Sequence, residues 1–95
     1  MAGLLPINQP PLNPVTDMNE VHLTCRQGLT MLYVIAGTQN KPDGISGIYF
    51  HAQRLDNNVS SSQLLYQFTI SESKIYLRTG MGNGSGISWR EWRII

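Results

Sequence analysis

The sequence has little cysteine, little charge and no long apolar run, and each shortage excludes a class of protein. Its 95 residues include a single cysteine, Cys25, so an intrachain disulfide is excluded. Charged residues make up 14% of the chain, against roughly 25% in soluble domains generally. The seven Lys and Arg are scattered and the net charge is +1, so the electrostatic footprint of a nucleic-acid-binding protein is missing.

The chain also offers few groups for catalysis or metal binding. His22 and His51 are the two histidines, and no third ligand clusters with them in the sequence. One His51 per chain on a threefold axis is a conceivable ligand set, but a surface histidine is the simpler interpretation. Cys25 alternates inward with its apolar neighbours, which indicates an inert packing residue. We therefore expect no enzyme activity, no catalytic residue, no metal and no cofactor.

Targeting signals are equally scarce. No apolar stretch approaches the length of a membrane span, so we expect no membrane insertion. No basic segment followed by an apolar one marks a signal peptide, which predicts synthesis in the host cytoplasm.

What the chain does contain is a series of short strand-like segments separated by turn signals, with no sustained helical period. This spacing predicts an all-β fold, an antiparallel β-sandwich or small barrel of about six strands, with an extended Pro-rich N-terminal arm. A Gly-rich turn at residues 80–86 separates the last two strands. The predicted strands are residues 21–25, 29–36, 48–55, 63–70, 74–79 and 87–95.

The first fifteen residues differ from the rest because they hold four of the five prolines interleaved with aliphatic side chains. We interpret residues 1–15 as an attachment arm that lies on another subunit, and residues 16–95 as the β domain; a disordered tail is the alternative. The arm residues expected to contact a partner are Leu4, Leu5, Ile7, Leu12 and Val15.

Alternation predicts which side chains point inward. Segment 29–36 is apolar on both faces, which indicates a strand in mid-core or in an interface. In segment 63–70, Leu64, Tyr66, Phe68 and Ile70 are predicted to face inward. Trp89 and Trp92 are three residues apart on one strand, so they are predicted to lie on opposite faces, one in the core and one at the surface.

Several short motifs resemble phage tail-fibre domains of the pyocin-knob type. The strongest is the ending, Tyr76-Leu77-Arg78 followed by a Gly/Asn turn and then Trp89 and Trp92. The resemblance extends over residues 17–95. Its other carriers are Asp17-Met18-Asn19, Gly28 before Leu32-Tyr33, Asn40-x-Pro42, Gly47-Ile48-Tyr49-Phe50 and the strand from Gln63 to Gln67.

The resemblance implies a phage virion structural protein, a knob-like tail-fibre or adaptor module located in the virion. It implies a homotrimer that attaches to other phage tail or capsid proteins, with a host cell-surface glycan as a further contact. A free-standing carbohydrate-binding module is the alternative, and it predicts a monomer with affinity for sugar. The residues expected at a receptor site or an interface are Trp89, Trp92, Arg78, Tyr76, Asn57 and Asn58.

Overall fold

The computed structural model describes residues 6–54, 63–82 and 86–95. They form seven strands and one turn of 3₁₀ helix, which is η1 below. The elements are β1 (Ile7–Asn8), η1 (Val21–Leu23), β2 (Gly28–Val34), β3 (Gly47–Arg54), β4 (Gln63–Ser71), β5 (Lys74–Gly82), β6 (Ile87–Trp89) and β7 (Arg93–Ile94).

All seven strands belong to one sheet. Its order is β1-β2-β3-β4-β5-β6, and β7 also pairs with β5. Every pairing is antiparallel except that of β1 with β2. The predicted all-β class is thus confirmed, and the described strands form an open sheet instead of two packed sheets or a closed barrel.

The N-terminal segment covers one face of this sheet, which we call the inner face. The chain crosses it between β1 and β2, held by Val15 N donating to Tyr33 O at 2.9 Å and Met18 N donating to Gln39 O at 3.0 Å. The crossing places apolar side chains against those of the central strands. The resulting core cluster consists of Met18, Val21, Leu32, Val34 and Tyr49.

The strand predicted at residues 21–25 is wrong, because this segment is part of the crossing and forms η1. Leu23 N donates to Glu20 O at 3.0 Å and Thr24 N to Val21 O at 3.1 Å, as in a 3₁₀ turn. Val21 is buried but Leu23 is 72% exposed, so these residues do not alternate across a sheet.

The direction predicted for the side chains of β4 is also wrong. Leu65, Gln67 and Thr69 face inward and are buried, whereas Tyr66 and Ile70 are exposed on the other face. The polar residues are accommodated because the inner face offers partners. Thr69 Oγ1, for example, donates to Ile48 O at 2.7 Å.

Residues 6–8 of the proline-rich arm lie along the edge of the sheet of their own chain. Its strand β1 pairs with β2, and Leu29 N donates to Pro6 O at 2.9 Å. Asn8 fastens it further, since Nδ2 donates to Gln27 O at 2.9 Å. Gly28 has a φ of +109° and its missing Cβ leaves the space that Pro6 O occupies. This segment of the arm therefore covers the β2 edge of the sheet in its own chain.

Candidate functional site

The face of the sheet opposite the N-terminal crossing is apolar and uncovered by any described residue; we call it the outer face. The register of the strands places the side chains of Leu29, Ala52 and Leu77 on it, together with a stacked pair, Phe50 and Phe68. The two phenyl rings are 4.9 Å apart with 16° between their planes. Further large side chains on this face are 37–62% exposed: Met31, Tyr33, Ile48, Leu64, Tyr66, Ile70, Ile75 and Met81.

The exposed area on the outer face is of the size that protein interfaces use. A side chain of this kind exposes about 200 Å² when free, so the eight together leave on the order of 800 Å², which is one partner's share of a standard interface. By register, the charged residues on this face among the described strands are Arg54 and Arg93. A largely apolar surface of this extent, with two charged side chains, is typical of a surface that another polypeptide covers.

The inner face contains a chain of buried polar side chains. Gln53 Nε2 donates to Cys25 O at 2.8 Å, and Gln53 Oε1 lies 2.7 Å from His51 Nε2. On the other side of the imidazole, His51 Nδ1 lies 3.1 Å from Gln67 Nε2, which also donates to Met18 O at 2.8 Å. Through Gln67 the chain of hydrogen bonds reaches Arg78, whose Nε donates to Gln67 Oε1 at 2.7 Å.

These contacts determine the tautomer of His51. Because Arg78 Nε can only donate, it requires the oxygen of Gln67, and the Gln67 amide nitrogen must then face His51 Nδ1. Nδ1 is consequently an acceptor, and Nε2 carries the proton that is donated to Gln53 Oε1. Burial lowers the pKa of His51, partly opposed by the Gln53 hydrogen bond, so the neutral ring is favoured.

His51 was expected at the surface, or on a threefold axis as a metal ligand, and the structure contradicts both expectations. The side chain is fully buried and both ring nitrogens are in contact with glutamines. Within the described ranges, no three His, Cys, Asp or Glu side chains are grouped so that they could hold a metal ion. Cys25 is half-buried, and burial raises the pKa of its thiol.

Arg78 lies between two indole rings on the inner face. Its guanidinium carbon is 4.1 Å from the ring centroid of Trp89 and 4.9 Å from that of Trp92. The side chain is 5% exposed, and burial lowers its pKa to about 10, with Asp17 acting in the opposite direction. A pKa near 10 leaves the guanidinium charged at neutral pH, so the indoles enclose a buried cation.

The prediction that Trp89 and Trp92 lie on opposite faces is therefore wrong. Between β6 and β7 the register against β5 shifts by one residue: Trp89 is opposite Gly80, but Arg93 is opposite Leu77. One extra residue in this edge strand reverses the alternation, as in a β-bulge, and brings Trp92 to the same face as Trp89. Trp92 is fixed there by its Nε1, which donates to Asn40 O at 3.0 Å.

A cavity of about 380 Å³ lies beside Arg78 and the two indole rings that contact it. Its lining includes Asn19 from the N-terminal crossing, Asn40 from the β2–β3 loop, and Trp89 and Arg90. The aromatic and arginine residues were predicted from their sequence motif. Asn19 and Gln67 were not predicted as part of this site, because nothing in a single Asn or Gln indicates what the folded chain places next to it.

The remaining predicted residues are spread over the molecule. Ile7 and Leu12 of the arm are exposed, but Val15 packs against the core of its own chain and is not free for a partner. Tyr76 is half-buried on β5, opposite Ile94. Leu4, Leu5, Asn57 and Asn58 lie outside the described residues.

Comparison with protein-family models, with curated proteins and with solved structures finds no match to this chain. The resemblance to pyocin-knob domains therefore stays a prediction made from short motifs. In the ranges that the structure describes, no helix has the length and apolar character needed to cross a membrane.

Proposed function

We propose that this protein is a phage virion structural protein, a knob-like tail-fibre or adaptor module that acts by attachment and not by catalysis. The observation that supports a role in attachment is the exposed outer face. Its exposed aliphatic and aromatic side chains include Tyr33 and Ile48, which are opposite each other on β2 and β3 and are 54% and 52% exposed. An apolar sheet face of this extent is stabilised when a second layer covers it.

We propose other copies of the same chain as that second layer. The exposed area equals one partner's share of a standard interface, and the charged side chains at its described positions are limited to Arg54 and Arg93, so most of the face can pack against the apolar face of another copy. Two sheets pack face to face about 10 Å apart when both faces are apolar. The resemblance implies three copies.

Attachment to other virion proteins and location in the virion rest on the resemblance and on the arm. Ile7 is 80% exposed and Leu12 is fully exposed on the arm, even though the arm backbone pairs with its own sheet. Among the described residues of the arm, these two side chains are available to a neighbouring tail or capsid protein. Loop contacts with a host receptor are a further part of the proposal.

The test replaces an apolar side chain of the outer face by a charged one. Ile48→Lys is expected to convert the oligomer to monomer, because it buries an unpaired ammonium in the interface. Leu23→Lys is the matched control, since Leu23 is 72% exposed but lies on η1, away from the outer face. The measurement is the mass in solution by light scattering.

The proposal fails if the unaltered chain is monomeric at about 100 μM, since a surface of this size normally gives tighter association than that. It also fails if Ile48→Lys and Leu23→Lys have the same mass as the unaltered chain. A mass that corresponds to an oligomer other than a trimer would correct the number of copies that the resemblance implies, and the proposed interface would still stand.

The free-standing carbohydrate-binding module is the second candidate. The observation that favours it is the cavity next to Trp89, whose lining combines the two indoles with polar side chains such as Asn19 and Asn40. It predicts a monomeric protein, so the same mass measurement separates the two candidates.

A further inference from the structure

Residues 18–25, which carry η1 and which we call the anchored segment, are held on the inner face by side-chain hydrogen bonds near their two ends. At the first end, Gln67 Nε2 donates to Met18 O at 2.8 Å. At the second end, Gln53 Nε2 donates to Cys25 O at 2.8 Å. Because the side chain of Met18 is fully buried in the core cluster, the anchored segment covers part of the core.

The two glutamines that hold the anchored segment are also the partners of His51. Gln53 Oε1 lies 2.7 Å from Nε2 of the ring, and Gln67 Nε2 lies 3.1 Å from Nδ1. In the neutral ring Nε2 donates and Nδ1 accepts, so the Gln67 amide nitrogen donates to both His51 and Met18 O. Its oxygen accepts from Arg78 Nε at 2.7 Å. These contacts all join a donor to an acceptor as long as His51 is neutral.

A proton on Nδ1 of His51 makes this arrangement impossible to complete. The added N–H faces the N–H of the Gln67 amide, and two donors cannot form a hydrogen bond. Turning the amide over would give His51 an acceptor, but the amide nitrogen would then face Arg78 Nε and the oxygen would face Met18 O. One of the three contacts of Gln67 is therefore lost when the ring is protonated, whereas the donation from Nε2 to Gln53 is unchanged.

The contact that is lost is the one with Met18 O. Protonated His51 and Arg78 are both charged donors, whose hydrogen bonds are roughly twice as strong as neutral ones, so they take the two lone pairs of the Gln67 oxygen. Arg78 is also opposite Gln67 in the register of β4 and β5. Met18 N, by contrast, donates at 3.0 Å to Gln39 O, which belongs to the β2–β3 loop and not to a strand. This end of the anchored segment then loses the side-chain bond that joins it to the sheet.

The charged and titratable groups around His51 keep the ring neutral at pH 7. Burial lowers the pKa of His51, partly opposed by its glutamine hydrogen bond, and the charges of His22 on η1 and Arg78 on β5 lower it further. Asp17, from the crossing, acts on Arg78 and helps to keep that cation charged. The thiol of Cys25 stays neutral, because burial raises its pKa. An arrangement that opens the inner face to water therefore favours protonation of His51.

We propose that protonation of His51 releases the Met18 end of the anchored segment, so that acid opens part of the inner face while the sheet stays folded. The Cys25 end keeps its bond to Gln53 and serves as the hinge. Because an exposed imidazole titrates near pH 6.5, opening increases as the pH falls below about that value. The switch lies on the inner face and does not depend on the outer face.

The test measures how fast hydrogen peroxide oxidises Met18 in the full chain at pH 7.5, 6.5 and 5.5, by mass spectrometry of its peptides. A fully buried Met18 reacts when the anchored segment opens. We expect its rate to rise about tenfold between pH 7.5 and 5.5, since one proton changes an equilibrium at most tenfold per pH unit. Met31, which is 42% exposed on the outer face, is the reference in the same sample, at a protein concentration low enough to dissociate oligomers.

Hydrogen exchange separates opening of the anchored segment from unfolding of the whole chain. After correction for the intrinsic exchange rate at each pH, the amides of the paired strands β3 and β4 should be as protected at pH 5.5 as at pH 7.5.

Three variants check the assignment to one imidazole. His51→Gln can still accept and donate but does not titrate, so the Met18 rate should no longer depend on pH. Gln67→Glu offers acceptors to His51 and Arg78 but no donor to the backbone of the anchored segment, so Met18 should react as fast at pH 7.5 as it does at pH 5.5 in the unaltered chain. His22→Gln is the matched control and should retain most of the rise.

Four results would overturn the proposal. The first is a Met18 rate in the unaltered chain that is the same at pH 7.5 and 5.5, and the second is a His51→Gln chain that keeps the rise. The third is loss of protection in β3 and β4 together with Met18, which would mean that the whole chain unfolds. The fourth is a Gln67→Glu chain whose Met18 is protected at pH 7.5, and this variant decides if His51→Gln does not fold. None of these results bears on the mass in solution, so the switch and the proposed assembly fail independently.

Discussion

Two neighbouring residues of β4 show how differently the two faces of this sheet are built. Gln67, on the inner face, is fully buried and bonded to Met18 O and Arg78 Nε. Tyr66, on the outer face, is 44% exposed. A polar amide is inside and an aromatic ring is outside, which is the reverse of what polarity alone predicts. Burial of a polar group thus depends on whether the fold supplies partners, and exposure of an apolar one indicates a surface that another layer can cover.

The largest loss of stability is expected from removing a hydrogen-bonding partner on the inner face. Gln67→Leu leaves the Arg78 Nε, His51 Nδ1 and Met18 O atoms unpaired, so we expect the free energy of unfolding to fall by about 3–5 kcal/mol. Urea denaturation at a protein concentration low enough to dissociate oligomers measures this. Tyr66→Thr is the adjacent control on the outer face and should change the value by less than about 1 kcal/mol. Similar losses in both variants would remove the distinction between the faces.

A smaller effect is expected at the contact between β5 and Trp89. A Cβ added to Gly80 would lie 2.8 Å from the Trp89 ring, so Gly80→Ala displaces the indole that covers Arg78. We expect a loss of about 1–3 kcal/mol in the free energy of unfolding. Gly37→Ala is the control, because no atom lies within 4 Å of its added Cβ. Thermal denaturation of both variants measures the difference, and a Gly80→Ala chain as stable as the control would contradict this packing.

The smallest effect is the dependence of stability on pH through His51. Because burial lowers the pKa of His51 in the folded chain, the unfolded chain binds more protons once the pH falls below about 6.5. Stability is therefore full above that pH and decreases as the solution is acidified, by at most about 1.4 kcal/mol per pH unit. Urea denaturation at pH 7.5, 6.5 and 5.5 measures the slope. His51→Gln should reduce it, whereas a His22→Gln chain should retain most of it; equal slopes in all three proteins would exclude His51 as the cause.

The pattern of residues located most of the strands, with the exception of segment 21–25, but did not reliably show which of their two faces is buried. Alternation in segment 48–55 separated Tyr49, His51 and Gln53 from Ile48 and Phe50, and the structure agrees. In β4 alternation predicted the wrong inward set, because its more apolar residues face the uncovered outer side and the buried set contains Gln67 and Thr69. The same limit applied to His51: Gln53 is two residues away on the same strand, but the second glutamine that contacts it, Gln67, comes from β4 and is not indicated by the local sequence.

For the candidate site, the sequence motif identified Arg78, Trp89 and Trp92 but not their arrangement. A strict two-residue period separates tryptophans three apart, and only the extra residue before β7 brings both rings to one side. Such a shift depends on pairing with β5, which no local pattern encodes. Asn19 joins the site for a similar reason, since the N-terminal crossing carries it there.

By itself, the sequence determined that this chain is all-β and has no intrachain disulfide, and that segment 29–36 is apolar on both faces. These properties follow from local backbone preferences and composition, which act over a few residues. The predicted Gly-rich turn at residues 80–86 was too long, since Gly80–Gly82 belong to β5. The tertiary structure alone decided which face the N-terminal segment covers, and with it which polar groups are paired, where the buried cation lies and which apolar surface stays open. Those outcomes depend on contacts between residues distant in the chain, where the partner and not the residue type sets the cost of burial.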